Sequence, residues 1–186
     1  MAHLPFPLSG ATLVTGPSNA GKTRLTARAL DAWVAEHGTD GIVVLDFAPE
    51  VDQDGTLLGG RLTRFTDISD EVWYGVLEAY APRTAGETEE EVLTFASANA
   101  RHSRHLVESM PKNPRVVFAN DVTIPFQAGE VDGFCVSTLV DYCDDVDVVV
   151  CNALESDELG VNDLISRNER ATLDVLRTWT DRVIEL

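Results

Sequence analysis

Lysine is nearly missing from this chain. Of 14 basic residues in 186, only Lys22 and Lys112 are lysines, and 31 acidic residues bring the net charge to −17. A surface dominated by one sign repels nucleic-acid phosphates over most of its area, so nonspecific binding to DNA or RNA is not expected. Cysteine is scarce as well. Cys135, Cys143 and Cys151 are odd in number and form no CxxC pair. That excludes a disulfide framework and predicts reduced, mostly buried thiols of a cytoplasmic protein, with no metal role. No run of 18 apolar residues is present, so neither a transmembrane helix nor a membrane partner is expected. The opening "MAHLPFPLSG" has neither a basic n-region nor an apolar h-region, and no secretory signal is expected. Repeats, linkers and low-complexity segments are missing. With 44% hydrophobic residues, the composition suits one globular domain over 1–186.

The acid-rich, lysine-poor balance is similar to that of halophilic proteins, in which salt screens self-repulsion. A simply acidic soluble protein is the plainer alternative.

Strand and helix signals alternate along the chain. "ATLV" (11–14) is a short apolar run. A helix is predicted from Lys22 to about His37, with Leu25, Ala29, Leu30, Trp33 and Val34 inward and Gly38 as its stop. "GIVVLDFA" (41–48) reads as a second strand and "EVDQDGTLLGG" as a loop. "SDEVWYGVLEAY" (69–80) reads as a helix capped by Ser69, and the spacing predicts a third helix over about 88–110. "RVVFAND" (115–121) is a third strand, "GFCVSTLVDYC" a helix and "VDVVVCNA" (146–153) a fourth strand. A last helix and a short strand "RVIEL" close the chain. Alternating units of this size predict an α/β fold in three layers, a mainly parallel central sheet flanked by helices.

Between the first strand and first helix lies "GPSNAGKT", Gly16 to Thr23. Gly16, Gly21, Lys22 and Thr23 fit G-x-x-x-x-G-K-[ST] without a mismatch. Glycines allow several N–H groups to aim at one anion. Lys22 adds a mobile positive charge for the outer phosphates, the Thr23 hydroxyl can ligate Mg²⁺, and the helix points its positive end at the loop. The stretch resembles the Walker A motif of P-loop NTPases, whose α/β layout the chain follows. That resemblance implies ATP bound across Gly16, Pro17, Ser18, Asn19, Ala20, Gly21, Lys22 and Thr23, with Mg²⁺ as its partner ion.

Such a site also needs a carboxylate near the metal, at the end of a buried strand. "VVFAND" ends in Asp121 and "IVVLD" in Asp46. Asp121 is the favoured metal-side and catalytic acid, because its strand follows the long helix where the family usually places it. Asn120 is a candidate to orient water or a phosphate. Glu50 and Asp46 are candidate bases for a substrate hydroxyl. Arg61 and Arg64, Arg101 and Arg104, and Arg167 and Arg170 are paired candidates for neutralising a transferring group, the last two in a segment that reads as mobile. His102 and His105 lie i, i+3 on a helix, and two ligands do not make a metal site.

The guanine-reading N-K-x-D is absent, so ATP is the expected nucleotide. "LVTGPSNAGKTRLTARAL" and "VVFANDVTIPF" are also similar to the P-loop unit and the "SNEVG-x-GIVP" strand of adenosylcobinamide kinases. "GGRLTRF" is similar to their arginine segment. Asp121 stands where that family has Glu, and "TIPFQAG" replaces its turn. This resemblance implies a nucleotide-binding sheet, not a cobalamin substrate. Two functions follow as expectations. One is an ATP-dependent small-molecule kinase or small ATPase. The other is a nucleotide-dependent switch or assembly protein with slow turnover, whose partner is another protein.

The charge balance makes one prediction. Raising monovalent salt from about 0.1 to about 1 M, which shortens the screening length from roughly 10 to roughly 3 Å, is expected to raise the Tm measured by circular dichroism.

Overall fold

The computed structural model describes residues 4–53, 56–58, 60–157 and 160–186. Strand β1 (Gly10–Gly16) leads to α1 (Lys22–His37) and β2 (Ile42–Asp46). A small antiparallel ribbon follows, β3 (Val51–Gln53) with β4 (Thr56–Leu58), and then the strand β5 (Trp73–Val76). The short α2 (Pro82–Ala85), the long α3 (Glu89–Glu108), β6 (Val116–Asn120) and α4 (Val136–Cys143) come next. β7 (Val148–Leu154), α5 (Leu164–Trp179) and β8 (Arg182–Glu185) complete the chain. Six strands pair in the order β5-β2-β6-β7-β1-β8, every pair parallel.

The period-2 alternation of the strands divides the core in two. Leu13, Val43, Leu45, Val117, Ala119, Val149 and Cys151 face α3, α4 and α5. Val14, Ile42, Val44, Val116, Phe118, Val148 and Val150 face α1, through Leu25, Leu30 and Trp33. Both faces are apolar because a parallel sheet is covered on both sides. The result is the three-layer α/β arrangement expected from the sequence. The helix over 22–37 lies where the spacing placed it, and the Gly38 amide closes it on the Val34 carbonyl. α3 opens with a capping box, Thr88 accepting from the Glu91 amide at 3.2 Å. Cys143 and Cys151 are buried and Cys135 half-buried, all three as free thiols. Among the described residues, no helix is long and apolar enough to cross a membrane.

One expected helix is a strand. Ser69 does cap a turn, accepting from the Glu71 amide while Val72 N donates to the Ser69 carbonyl. The chain then extends as β5 and pairs with β2, Val43 opposite Trp73 and Asp46 opposite Val76. Trp73, Tyr74 and Val76 favour an extended backbone, and the open edge of β2 supplies the hydrogen bonds. A second difference concerns Arg167 and Arg170. The segment read as mobile forms the first turns of α5, capped by Asp163, which accepts from the Ser166 amide at 2.9 Å. Residues 51–53 and 56–58 of the predicted loop pair as the ribbon, and positions 54, 55 and 59 lie outside the described residues.

Candidate functional site

β1 delivers the chain to its loop at the carboxyl edge of the sheet. Gly16 is buried, and a Cβ there would lie 2.7 Å from the Leu186 carbonyl oxygen, so no larger residue fits. Pro17, Ser18 and Asn19 are exposed. Asn19 (φ 61) and Gly21 (φ 98) are both left-handed. Left-handed residues of this kind turn backbone amides toward a shared concavity, the geometry of an anion nest. The Gly21 carbonyl accepts the first bond of α1 from Leu25 N at 2.9 Å.

The start of α1 differs from the other long helices. It has no side-chain cap and no acid in its first turn. α3 places Glu89, Glu90 and Glu91 there, and α5 is capped by Asp163. The first turn of α1 therefore supplies no carboxylate of its own to the positive pole, and a helix start of this kind favours an anion. Lys22 is buried, and its Nζ donates to the Pro17 carbonyl at 2.7 Å, spanning the loop.

Three polar side chains lie at or near the carboxyl ends of three adjacent strands, the last of them next to β1: Asp46 on β2, Asn120 on β6 and Asn152 on β7. All are fully buried, a setting in which polar groups must be paired. Asn120 Nδ2 donates to Asp46 Oδ1 at 2.7 Å and to the Gly60 carbonyl at 2.9 Å. Asp46 Oδ2 accepts from Leu62 N at 2.7 Å and from the Tyr74 hydroxyl at 3.0 Å. Asn152 Nδ2 donates to Asn120 Oδ1 and to Thr26 Oγ1, both at 2.9 Å, and Thr26 donates to the Lys22 carbonyl at 3.2 Å. A hydrogen-bonded line thus runs from Tyr74 through the strand ends to the first turns of α1. Burial raises the Asp46 pKa, and the bonds from Asn120, Leu62 and Tyr74 oppose the rise.

Asp121 hangs from this line. Its amide donates to Asn152 Oδ1 at 3.1 Å, the next amide, of Val122, donates to the Asn152 carbonyl at 2.9 Å, and Asp121 adopts φ 52. A left-handed backbone is uncommon outside glycine, though Asp tolerates it better than most. Two bonds to one asparagine hold it there. The Asp121 carboxylate is half-buried and makes no hydrogen bond among the described residues. Burial pushes its pKa up to about 6, the Lys22 charge opposes this, and Asp46 and Glu169 add to it. Lys22 and Asp121, far apart in sequence, share one electrostatic environment.

No protein-family model matches the chain, and no curated protein matches it.

The other sequence candidates divide. β7 lies between β1 and β6, so Asp121 sits two strands from the loop strand and reaches toward it by the turn after β6. Asp46 spends both oxygens on internal bonds. Asn120 is fully buried with both ends of its amide used, so it aligns the strand ends rather than a water or phosphate. Glu50 stands 3.9 Å from Arg61. Arg101 binds Asp132 at 3.1 Å and Arg104 binds Glu108 at 2.8 Å, on the surface of α3. Arg64 is exposed beside the Phe65 ring. Arg167, Arg170, His102 and His105 are exposed. Among the described residues, no cluster of three or more His, Cys, Asp or Glu could hold a metal.

Sequence reasoning missed Asn152, Thr26 and Tyr74, and a second cluster behind Asp121. There the buried Glu169 accepts from Arg83 Nη2 at 2.7 Å and from Gln127 Nε2 at 2.8 Å. The one available signal was a polar residue ending each of three apolar strand runs, "VLD", "FAN" and "VCN".

Two outcomes are expected. Asn152→Ala strands the Asp121 amide and the Asn120 carbonyl oxygen without their partner in a dry site, and should cost about 3 kcal/mol or more in urea unfolding. Folding raises the Asp121 pKa, so its contribution to stability is fully present below about pH 4 and is lost as pH rises through about 6. Asp121→Asn should therefore melt above the native protein at pH 8, with the gap closing as the pH falls to about 4.

Proposed function

We propose that this chain is a P-loop NTPase that binds Mg·ATP on Gly16–Thr23 and acts as a small-molecule kinase or small ATPase. The observation that carries the reading is one convergence. An uncapped helix start, the buried Lys22 and the half-buried Asp121 carboxylate meet at the carboxyl edge of a parallel sheet, where open α/β folds bind ligands. The donor set suits the ion. The Thr23 hydroxyl and Asp121 carboxylate are hard oxygen ligands, neither is spent on a hydrogen bond among the described residues, and Mg²⁺ takes its remaining ligands from phosphate and water.

The roles of the residues follow. Backbone amides around Asn19 and Gly21 orient the phosphates. Lys22 exchanges the Pro17 carbonyl for a phosphate oxygen. Thr23 and Asp121 hold the metal, and Asn152 with Thr26 fixes the spacing of Asp121 from α1. Bound Mg·ATP supplies the transferable phosphoryl group and part of the charge neutralisation. The likeness to adenosylcobinamide kinases enters only as support for a nucleotide-binding sheet.

A second reading, a switch or assembly protein with slow turnover, is favoured by Val122. This buried side chain directly follows Asp121, so no water-activating carboxylate stands at that position.

Thermal melts with ATP or ADP plus Mg²⁺, in stabilising salt, test binding. At a ligand excess of about 100 Kd the gain is about 2.7 kcal/mol, a Tm rise of roughly 5–10 °C for a chain of this size. Lys22→Ala should abolish it, and absence of any shift in the native protein overturns both readings. A large rise in ATP turnover with one small-molecule acceptor identifies a kinase; a rise only with a protein partner identifies a switch.

A further inference from the structure

Arg61 differs from the other arginines that face a carboxylate. Its backbone is fastened on both sides to the buried line of strand ends. The preceding carbonyl, of Gly60, accepts from Asn120 Nδ2 at 2.9 Å, and the following amide, of Leu62, donates to Asp46 at 2.7 Å. Leu62 is itself fully buried. Arg61 is thereby fixed over the carboxyl ends of β2 and β6.

Its guanidinium is nonetheless unspent. The side chain is only 30% exposed; among the described residues its ion pair is with Glu50 at 3.9 Å, beyond hydrogen-bond range, and its Nε is buried without a hydrogen-bond partner. Arg83, Arg101, Arg104 and Arg177 each hold a carboxylate at 3.1 Å or less. In a chain of net charge −17, this arginine is held in place with no carboxylate within hydrogen-bond range among the described residues. Withdrawing a guanidinium from water without giving it an acceptor is costly, so the arrangement stabilises little by itself. A guanidinium with hydrogen-bonding capacity left over is a group that takes an oxyanion in two parallel hydrogen bonds.

Three strand steps, roughly 14 Å, separate the end of β2 from the loop at the end of β1, and Asp121, after β6, stands between them. A molecule held at Arg61 would extend toward Asp121 from the side opposite the loop.

We propose that Arg61 anchors an oxyanion, a phosphate or carboxylate, carried by the second substrate. This rests on the nucleotide-binding reading above for what lies on the other side of Asp121. Glu50 steadies the guanidinium, and an arriving oxyanion displaces it.

The test keeps the two readings apart. The loop is first saturated with a β,γ-imido analogue of ATP and Mg²⁺, so that added anions cannot enter it. Inorganic phosphate and, separately, acetate are then titrated at constant ionic strength against chloride, with Tm as the readout. The native protein should show a further, saturable rise with at least one anion, and the more effective anion identifies the group recognised. Arg61→Gln should weaken that response at least tenfold while keeping the shift due to the analogue. Arg61→Lys, which keeps the charge and loses the planar fork, should be intermediate; it also serves if Arg61→Gln does not fold. No further rise in the native protein, or an unchanged one in Arg61→Gln, overturns the proposal. If the analogue itself gives no shift, the nucleotide reading fails. The same titrations on Lys22→Ala with and without Arg61→Gln then decide Arg61: a rise that the second substitution removes supports the anchor, and no rise overturns it.

Discussion

The hydrogen-bonded line through Asp46, Asn120 and Asn152 is the constraint on which this molecule turns. Strands in a parallel sheet are aligned by backbone bonds, but those bonds end where the strands end. Beyond that point something else must hold neighbouring turns in register. Here three buried side chains do so, each accepting from or donating to the next. The line reaches outward to Tyr74 at one end and to Thr26 on α1 at the other. The segment after β4, the turn after β6 and the first turns of α1 are all tied to it. A loop at one strand end is thus mechanically continuous with an arginine three strands away.

Electrostatics sharpens the picture. The chain is strongly acidic overall, yet the first turn of α1 carries no acid, while α3 has three there and α5 is capped by one. The same edge gathers Lys22 against Asp121, and behind Asp121 a buried glutamate neutralised by Arg83. Lysine is rare in this molecule, and one of the two lies where backbone dipoles already favour an anion. Asp121 responds to all of these neighbours at once.

Much of this was legible in the residues. The first helix, the capping box of α3 and four core strands follow from apolar spacing and caps, because those signals are local and nothing tertiary opposes them. The position of Lys22 at the start of α1 was legible from the glycine spacing, and that of Asp121 just past β6 from the apolar run before it. The segment 69–80 was not. Ser69 with two following acids signals a helix start and does begin a turn, but the free edge of β2 captures the aromatic and β-branched residues that follow. The strand-end network was hidden for a different reason. Asn120 and Asn152 are 32 positions apart, and only the sheet order makes them neighbours. Glu169 and Arg83 are separated further still, and no spacing rule links a helix interior to a four-residue helix.

The scarcity of lysine has a practical side. Lys112 lies on the exposed turn after α3, whereas Lys22 is buried with its amine on a backbone carbonyl. An amine-reactive label meets only these two side chains besides the α-amino group. One is open and the other shielded, so the ratio of their modification reports directly on whether the loop is closed over its lysine. The molecule carries its own built-in reference for such footprinting.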